Sequence, residues 1–438
     1  MSKTVEHVLG IMDPNSLSFR VTLEGVIAHL QPQIKYGGSV HKARTRRIFC
    51  RPYLTTGAQT DCSAIVNRGA HWNPHFNSYF QIVAPNVYLL NDMVSFKAID
   101  KNTGYGHMFD LGLNVPTTVA IPQKDYSDLK KSPTIDVELT FSEHEMFDLR
   151  ELGDEVGYPA FLKPQDGGGW VGVKRVENFE ELVAAYDESG SRPQNLQAAV
   201  EYREFVRTVG VGPQTLPMHY NAKAPHSHQR YLRSENEAVA FNWLTPEEDW
   251  EVRATTKLIN AFYGWDHNSC ESLIGNDGKL YPIDFCNAYP DSTLISLHFY
   301  FPDLVKSMVR WLLFVSVTGY KKSLAFSYDW KRYFQVRDEA NAKGWDFRTR
   351  LKKYEELADE HFHTAKFNKF VKEELGGEQF DRSCLEYFES EAFDDILVRQ
   401  VDKYFKIKSE VPEQLQHYRG IHAFWCHCER ERMGLAKP

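Results

Sequence analysis

The feature that most constrains this sequence is a run of three glycines between two segments with strand character. Lys163 ends an apolar segment, the glycines occupy positions 167–169, and residues 172–176 again look like a strand. P-loops and dinucleotide fingerprints both place a helix directly after their glycines, so neither motif fits. A glycine loop can turn its backbone N–H groups toward an anion while a lysine supplies positive charge. The run therefore predicts a flap that covers a phosphate, with a plain flexible hairpin as the alternative.

A second feature is a pair of carboxylates on a predicted hairpin. Glu271 lies on one strand, the turn Asn-Asp-Gly occupies positions 276–278, and Asp284 lies on the returning strand. Such a turn is a strong hairpin signal, and cross-strand neighbours on one face can bring two carboxylates to one cation. Mg²⁺ usually takes one or two carboxylates together with the phosphates of its substrate. The hairpin predicts a metal site, with a buried Asp284 bonded to backbone N–H groups as the alternative.

The rest of the chain predicts an α/β protein (α/β or α+β) that ends in a helical region. Apolar residues alternate between strand-like and helix-like spacing over the first ~115 residues, which is typical of an α/β layer. The pattern predicts a helix over 16–31 and another over 143–156, and it makes Asn178 the N-cap of a third. Further strands are expected at 206–211, 238–241, 270–274 and 280–285. We therefore expect the chain to divide into four regions, which are 1–116, 117–204, 205–303 and a helical region over 304–438.

Charge and cysteine content restrict the function. The 438 residues carry a net charge of −8, which argues against a nucleic-acid coat or a basic membrane binder. The most apolar stretch, 304–317, contains Lys306 and Arg310, so it predicts no membrane span. Seven cysteines, an odd number, favour reduced thiols and a cytoplasmic location.

The order of these motifs resembles the ATP-grasp superfamily over residues 85–292. The matching segments run from 91–101 through 111–118 to the Lys-Pro and glycine loop, the hinge-like 200–202 and the two acidic strands. The resemblance is to carboxylate–amine ligases of the type that includes D-alanine–D-alanine ligases and biotin carboxylases. It implies an N-terminal α/β (pre-ATP-grasp) domain, a glycine-loop lid subdomain, an ATP-grasp C-terminal subdomain and a helical tail.

The resemblance also implies roles for individual residues that would bind ATP. Lys101 and Lys163 would touch the nucleotide phosphates. A mobile loop would cover the γ-phosphate, with Asp166, Gly167, Gly168, Gly169 and Gly172 as its candidate residues. Glu201 and Tyr202 would form the hinge that receives the adenine amino group, and Glu204 is a weaker candidate for binding ribose.

The metal and catalytic assignments come from the same resemblance. Glu271, Asp284 and Asn287 resemble the Mg²⁺ ligands, although the family usually has one residue between its last acid and the asparagine, and two stand here. Asn287 reaches the metal only if a bulge at Phe285 and Cys286, or the end of the strand just before Pro290, redirects it. Otherwise Cys286 takes the usual asparagine position.

Two arginines fall between the hinge and the metal strands. Arg230 and Arg233 are candidates for steadying the transferred phosphoryl group, together with Lys163, and ordinary surface arginines are the alternative.

The implied activity is ATP-dependent ligation of a carboxylate to an amine through an acyl-phosphate, with release of ADP and phosphate. ATP and Mg²⁺, or Mn²⁺ in its place, would be the cofactors. The partners would be a small carboxylate and an amine, such as amino acids or peptides, with no nucleic acid or membrane. Dimers are common in the family. The alternatives are an ATP-grasp kinase acting on a hydroxyl and a non-catalytic nucleotide-binding protein.

Overall fold

The computed structural model describes most of the chain and divides it into two compact units. The described residues are 3–13, 17–70, 73–93, 100–126, 145–166, 170–233, 238–239, 243–287, 289–320 and 330–435. Unit 1 consists of Met1–Ala98, Phe205–Glu271 and Asn287–Pro438, and unit 2 of Ile99–Glu204 and Ser272–Cys286. The four-part division expected from the sequence stays a prediction.

Strands and helices alternate through the first two thirds of the chain. Up to residue 126 they are β1 (Lys3–Met12), α1 (Leu17–Leu30), β2 (Gln33–Tyr36), β3 (Ser39–Arg47), β4 (Cys62–Asn67), α2 (Pro74–Val83), β5 (Tyr88–Leu90), α3 (Lys101–Asp110) and β6 (Thr118–Ile121). From residue 145 to 287 they are α4 (Leu149–Val156), β7 (Ala160–Pro164), β8 (Lys174–Val176), α5 (Phe179–Asp187), β9 (Gln194–Ala198), β10 (Tyr202–Val211), β11 (Gln214–His219), β12 (Leu232–Arg233), β13 (Ala238–Val239), α6 (Pro246–Tyr263), β14 (His267–Gly275) and β15 (Leu280–Asp284).

The described part of the chain after residue 289 is helical. The helices are α7 (Leu294–Leu297), α8 (Phe301–Thr318), α9 (Trp330–Lys343), α10 (Phe347–His361), α11 (Thr364–Lys369), α12 (Glu378–Phe388), α13 (Glu391–Tyr404) and α14 (Val411–Arg432). The predicted α/β class with a helical C-terminal region is therefore confirmed. None of the described helices is long and apolar enough to cross a membrane.

Unit 1 begins with a five-stranded sheet in the order β2-β3-β1-β4-β5. β1 pairs in parallel with β3 and β4, and β2 returns antiparallel along β3 through a tight turn at Gly37 and Gly38. Part of one face packs under α2 in a core that includes Val8, Ile65 and Phe80. The predicted helix over 16–31 is α1, and its buried Phe19, Leu23, Val26 and Ile27 follow helical spacing.

Unit 2 contains a four-stranded antiparallel sheet in the order β6-β9-β7-β8. Its core joins that sheet to α4 and α5 through residues such as Leu162, Leu182 and Leu196. The predicted N-cap is confirmed, since Asn178 accepts a hydrogen bond from the backbone N–H of Glu181 at 3.0 Å. The helix expected over 143–156 begins only at Leu149, because the side chain of Asp148 caps it there by accepting from the Arg150 N–H.

α8 of unit 1 is buried along most of its length, and its Trp311 lies against the turn between β10 and β11. Gly212 in that turn has a left-handed backbone (φ +54°), and a Cβ placed on it would run into the Trp311 ring. Gly319, at the end of α8, has a similar φ of +62° but open space where a Cβ would stand. Alanine substitutions at these two glycines therefore distinguish the cost of backbone strain alone from the cost of strain together with a packing clash.

We expect Gly212→Ala to lower the free energy of unfolding more than Gly319→Ala does. The left-handed backbone costs an alanine about 1–2 kcal/mol at either position. The clash with Trp311 adds about 1–3 kcal/mol at position 212 alone. Urea unfolding followed by circular dichroism measures both values, and equal losses would show that the turn moves away from Trp311 without cost.

Candidate functional site

Lys163 is a buried cation in the core of unit 2. Its side chain lies at the end of β7 and the residue is 8% exposed. The ammonium donates to the Tyr105 hydroxyl at 2.7 Å, to Gln197 Oε1 at 2.8 Å and to the backbone carbonyl of Ile283 at 3.3 Å. These three acceptors are neutral, and together they orient the ammonium.

Lys101 forms an ion pair with Asp284 in the same unit. The Nζ–Oδ2 distance is 3.0 Å, and the two side chains are 12% and 32% exposed. Lys101 is the first residue of α3, where the helix dipole disfavours a positive charge, so the carboxylate stabilises it there. Asp100 caps the same helix by accepting from the Thr103 N–H at 2.8 Å.

The end of β15 therefore meets both lysines that the sequence predicts for ATP phosphates. Lys101 contacts the side chain of Asp284, and Lys163 contacts the carbonyl of the preceding residue, Ile283. The Tyr105 hydroxyl joins Lys163 to β15, because it accepts from the Lys163 ammonium and donates to the Ile283 carbonyl at 2.7 Å. Unit 2 thus brings two predicted phosphate-binding cations and one predicted metal carboxylate to one place.

The predicted flap is only partly described. Gly167, Gly168 and Gly169 lie outside the described residues, while β7 and β8 on either side pair antiparallel with Leu162 opposite Lys174. Before the glycines, Asp166 accepts from Arg192 through both its backbone oxygen (2.9 Å) and its carboxylate (3.2 Å). After them, Gly172 has a left-handed backbone (φ +78°) that an L side chain rarely adopts.

The hinge residues lie where β10 begins. Glu201 and Tyr202 are exposed, and Glu204 is half-buried. The Glu201 carbonyl accepts from the backbone N–H of Asn276 at 3.0 Å. A carbonyl oxygen has two lone pairs, so this bond leaves one for a further donor.

In unit 1, Glu271 is paired with an arginine that the sequence reasoning missed. Arg207 Nη2 lies 2.6 Å from Glu271 Oε1, and Arg207 Nη1 donates to the Tyr231 hydroxyl at 3.1 Å. Burial lowers the pKa of Arg207, but the electrostatic interactions with Tyr231 and Glu271 raise it well above the ordinary value. The signal available in the sequence was an arginine inside the apolar run 205–211. A cation there needs a buried acid as its partner.

The two arginines proposed for catalysis are described to different extents. Arg230 Nη1 donates to the Tyr220 hydroxyl at 3.2 Å, and the Arg207 guanidinium lies 4.9 Å from the centre of the same ring. Unit 1 therefore holds Arg207, Arg230 and Glu271 around Tyr220 and Tyr231. The side chain of Arg233 lies outside the described residues.

The bulge expected at Phe285 and Cys286 is wrong, because β15 ends at Asp284 and the following residues leave the strand. Asn287 is fixed in unit 1 by Asn268, whose Oδ1 accepts its backbone N–H at 2.9 Å, and by Ser269, whose hydroxyl accepts its side-chain amide at 2.9 Å. The Cys286 thiol lies 3.7 Å from the Asp100 carbonyl in unit 2. The end of the strand, rather than a bulge, redirects the chain here.

Arg68, directly after β4, is also buried within unit 1. It is 1% exposed and donates to Asp13 Oδ2 at 3.1 Å, to the Ser292 hydroxyl at 2.7 Å and to the Pro290 carbonyl at 2.9 Å. These bonds join the loop after β1 to residues 290–292, so Arg68 positions both segments.

Removing the Tyr105 hydroxyl tests its contribution to the stability of the protein. Tyr105→Phe takes one acceptor from the buried Lys163 and one donor from the Ile283 carbonyl, so we expect the free energy of unfolding to fall by about 1–3 kcal/mol. Tyr281→Phe is the matched control, because its hydroxyl donates to Asp277 at 2.7 Å on the exposed turn of the hairpin. Urea unfolding should show less than about 1 kcal/mol for the control, and an equal loss in both would contradict the role given to Tyr105.

The comparisons with known proteins identify D-alanine–D-alanine ligases as similar sequences. One from Heliobacterium modesticaldum is 28% identical over 165 residues, covering 34% of this chain and 43% of that protein. One from Halorhodospira halophila is 29% identical over 123 residues, covering 26% of this chain and 40% of that protein. The chain thus matches less than half the length of these curated relatives. No protein-family model matches it.

Two solved structures are similar at lower sequence identity. A D-alanine–D-alanine ligase from Bacillus anthracis has a TM-score of 0.46 and 15% identity, covering 72% of this chain and 100% of that one. A RimK-domain ATP-grasp protein from Sphaerobacter thermophilus has a TM-score of 0.44 and 16% identity, covering 70% and 100%. The curated relatives confirm the resemblance to D-alanine–D-alanine ligases that the motifs indicate, over about a third of the chain.

Proposed function

We propose that the protein is an ATP-dependent ligase that joins a carboxylate to an amine through an acyl-phosphate and releases ADP and phosphate. One observation carries the proposal. In unit 2, Lys101 and Lys163 both contact the last two residues of β15, one of which is the carboxylate Asp284. Two cations beside a carboxylate form a suitable place for the phosphates of a nucleotide.

The two lysines would act by charge and position. Each ammonium is held by its present partners, so binding a phosphate exchanges one contact for another and needs little reorganisation. For Lys163 the contact to give up is the longest one, to the Ile283 carbonyl at 3.3 Å. For Lys101 it is Asp284 itself, whose carboxylate would then be available to a cation.

The donor chemistry of the proposed metal ligands fits Mg²⁺. Asp284 and Glu271 offer carboxylate oxygens and Asn287 offers an amide oxygen, all hard ligands. Asp284 and Glu271 each have a cation as a partner, Lys101 and Arg207 respectively, so metal binding would exchange one ionic contact for another. Bound there, the ion would neutralise the charge on the nucleotide phosphates.

The reaction needs no covalent nucleophile from the protein. A carboxylate oxygen of the substrate attacks the γ-phosphorus of ATP, and the bond to the ADP oxygen breaks. The amine then attacks the acyl carbon, the C–O bond to phosphate breaks, and the nitrogen loses a proton. Arg230 and Arg233 are proposed to steady the phosphoryl group, and residues 166–172 to exclude water that would hydrolyse the acyl-phosphate.

A phosphate-release assay with defined acceptors tests the reaction. D-Alanine is the first acceptor to try because the curated relatives are named D-alanine–D-alanine ligases, followed by a library of amino acids and short peptides. Acceptor-dependent phosphate together with a ligated product supports the proposal. A phosphorylated acceptor would instead establish a kinase, and nucleotide binding without turnover across the library would favour the non-catalytic alternative.

We expect Lys163→Ala to abolish turnover, with a loss of at least about 100-fold in kcat/KM. The buried ammonium is preorganised, and a shorter side chain cannot replace its charge at the phosphates. Lys174→Ala is the control, because Lys174 lies on the neighbouring strand β8, is half-buried and pairs only with Glu188 among the described residues. Equal activity of the two variants would remove Lys163 from the site.

The metal assignment predicts an order among three neighbouring substitutions. Asp284→Asn should remove activity and Asn287→Ala should be severe, since each loses a hard oxygen ligand, while Cys286→Ala should be mild because sulfur is a poor ligand for Mg²⁺. Initial rates over a Mg²⁺ titration measure the effect, and a ligand variant should need more metal for half-maximal rate. If Asn287→Ala keeps the Mg²⁺ dependence of the wild type, Asn287 is only a structural residue.

A further inference from the structure

The N-terminal sheet carries a concentration of positive charge that the proposed function does not use. Residues 25–60 contain six lysines and arginines and no aspartate or glutamate, although the whole chain has a net charge of −8. The cations are Lys35, Lys42, Arg44, Arg46, Arg47 and Arg51. Five of these residues are exposed, and Arg46 is half-buried.

The pairing of the strands places four of these cations on one face of the sheet. Alternate residues of a strand point to the same side, so Lys42, Arg44 and Arg46 of β3 share a face. In the antiparallel pair with β2, Lys35 is opposite Val40 and therefore joins them. We call these four residues the basic sheet face.

Among the described residues, α2 covers only the other half of this face. Val8 of β1 is next to Arg44 in the register and is buried in the core under α2, whereas Arg44 itself is exposed. The uncovered half of the face therefore presents a row of cations.

Most of this charge is not neutralised within the described part of the protein. Arg46 pairs with Asp61, but no ion pair joins Lys35, Lys42 or Arg44 to an acid among the described residues. Glu6 stands opposite Lys42 in the strand register without forming one. Cations held this close together on a rigid sheet repel each other and favour a negatively charged partner.

We propose that the basic sheet face docks an acidic polypeptide segment in an extended conformation. Alternate residues along β3 are about 6.6 Å apart, which matches alternate side chains of an extended peptide. β3 is hydrogen-bonded on both sides, to β1 and β2, so recognition would come from side chains and not from an added strand. A long nucleic acid fits less well, because the acidic remainder of the chain would repel a polyanion that extends beyond this face.

Fluorescence anisotropy with a labelled peptide of alternating glutamate and serine tests this proposal on the full chain without ATP. We expect binding that weakens as salt is added, and a loss of at least about tenfold in affinity in the double variant Lys42→Glu, Arg44→Glu. The control is the double variant Lys331→Glu, Lys403→Glu, which changes the same charge at two exposed lysines elsewhere in unit 1. Its affinity should stay within about twofold of the wild type.

Other outcomes would overturn the proposal. These are absence of binding by the wild type, an equal loss in the control, and tighter binding of an oligothymidylate of the same charge. A dimer that light scattering shows to dissociate in the charge-reversed variant would assign the face to a second copy of the chain. The milder variant Lys42→Gln, Arg44→Gln, with circular dichroism of all variants, separates lost binding from lost folding. Because the assay contains no ATP, its result is independent of the proposed ligase activity.

Discussion

A cation that is buried away from water needs hydrogen-bonding or ionic partners within the protein, and this requirement determines how segments are joined in both units. Arg68, Lys163 and Lys306 are 1%, 8% and 3% exposed. A buried charge without hydrogen-bonded partners costs several kcal/mol, roughly the size of a domain's whole stability. Each of these cations therefore fixes the segments that supply its acceptors, which are distant in sequence. Lys163 fixes α3, β9 and the end of β15, and Arg68 fixes the loop after β1 and residues 290–292.

The same requirement explains why the proposed ligand-binding residues are paired within each unit. Asp284 has Lys101 as its counter-ion, and Glu271 has Arg207. A carboxylate placed for a metal, or a lysine placed for a phosphate, would destabilise the ligand-free protein if it were left alone. An internal counter-ion removes most of that cost. Ligand binding then exchanges one ionic partner for another.

The sequence predicts those features that depend on neighbouring residues. The cap at Asn178 and the hairpin turn at 276–278 each need only a few adjacent side chains, and both form as expected. The partners of Lys163 come from positions 105, 197 and 283, and nothing local in the sequence links them. The sequence predicts the strand to residue 285 and leaves open whether a bulge or the strand's end redirects Asn287, because the side chains that hold Asn287 belong to β14, some twenty residues earlier. The nucleotide and metal roles rest on the resemblance and stay predictions.

The helical C-terminal region contributes to the same core as the strand that carries Glu271. Trp311 of α8 donates from its indole to Asp266 at 3.1 Å, and Tyr88 of β5 donates to the same carboxylate oxygen at 2.6 Å. Asp266 directly precedes β14, so α8 and β5 together fix the start of the strand on which Glu271 lies. Lys306, one turn and a half before Trp311, ties α8 to α12 and α14 through Asp381 and Glu429. A disturbance in these helices should therefore reach Glu271 through packing, although none of them carries a residue proposed for the chemistry.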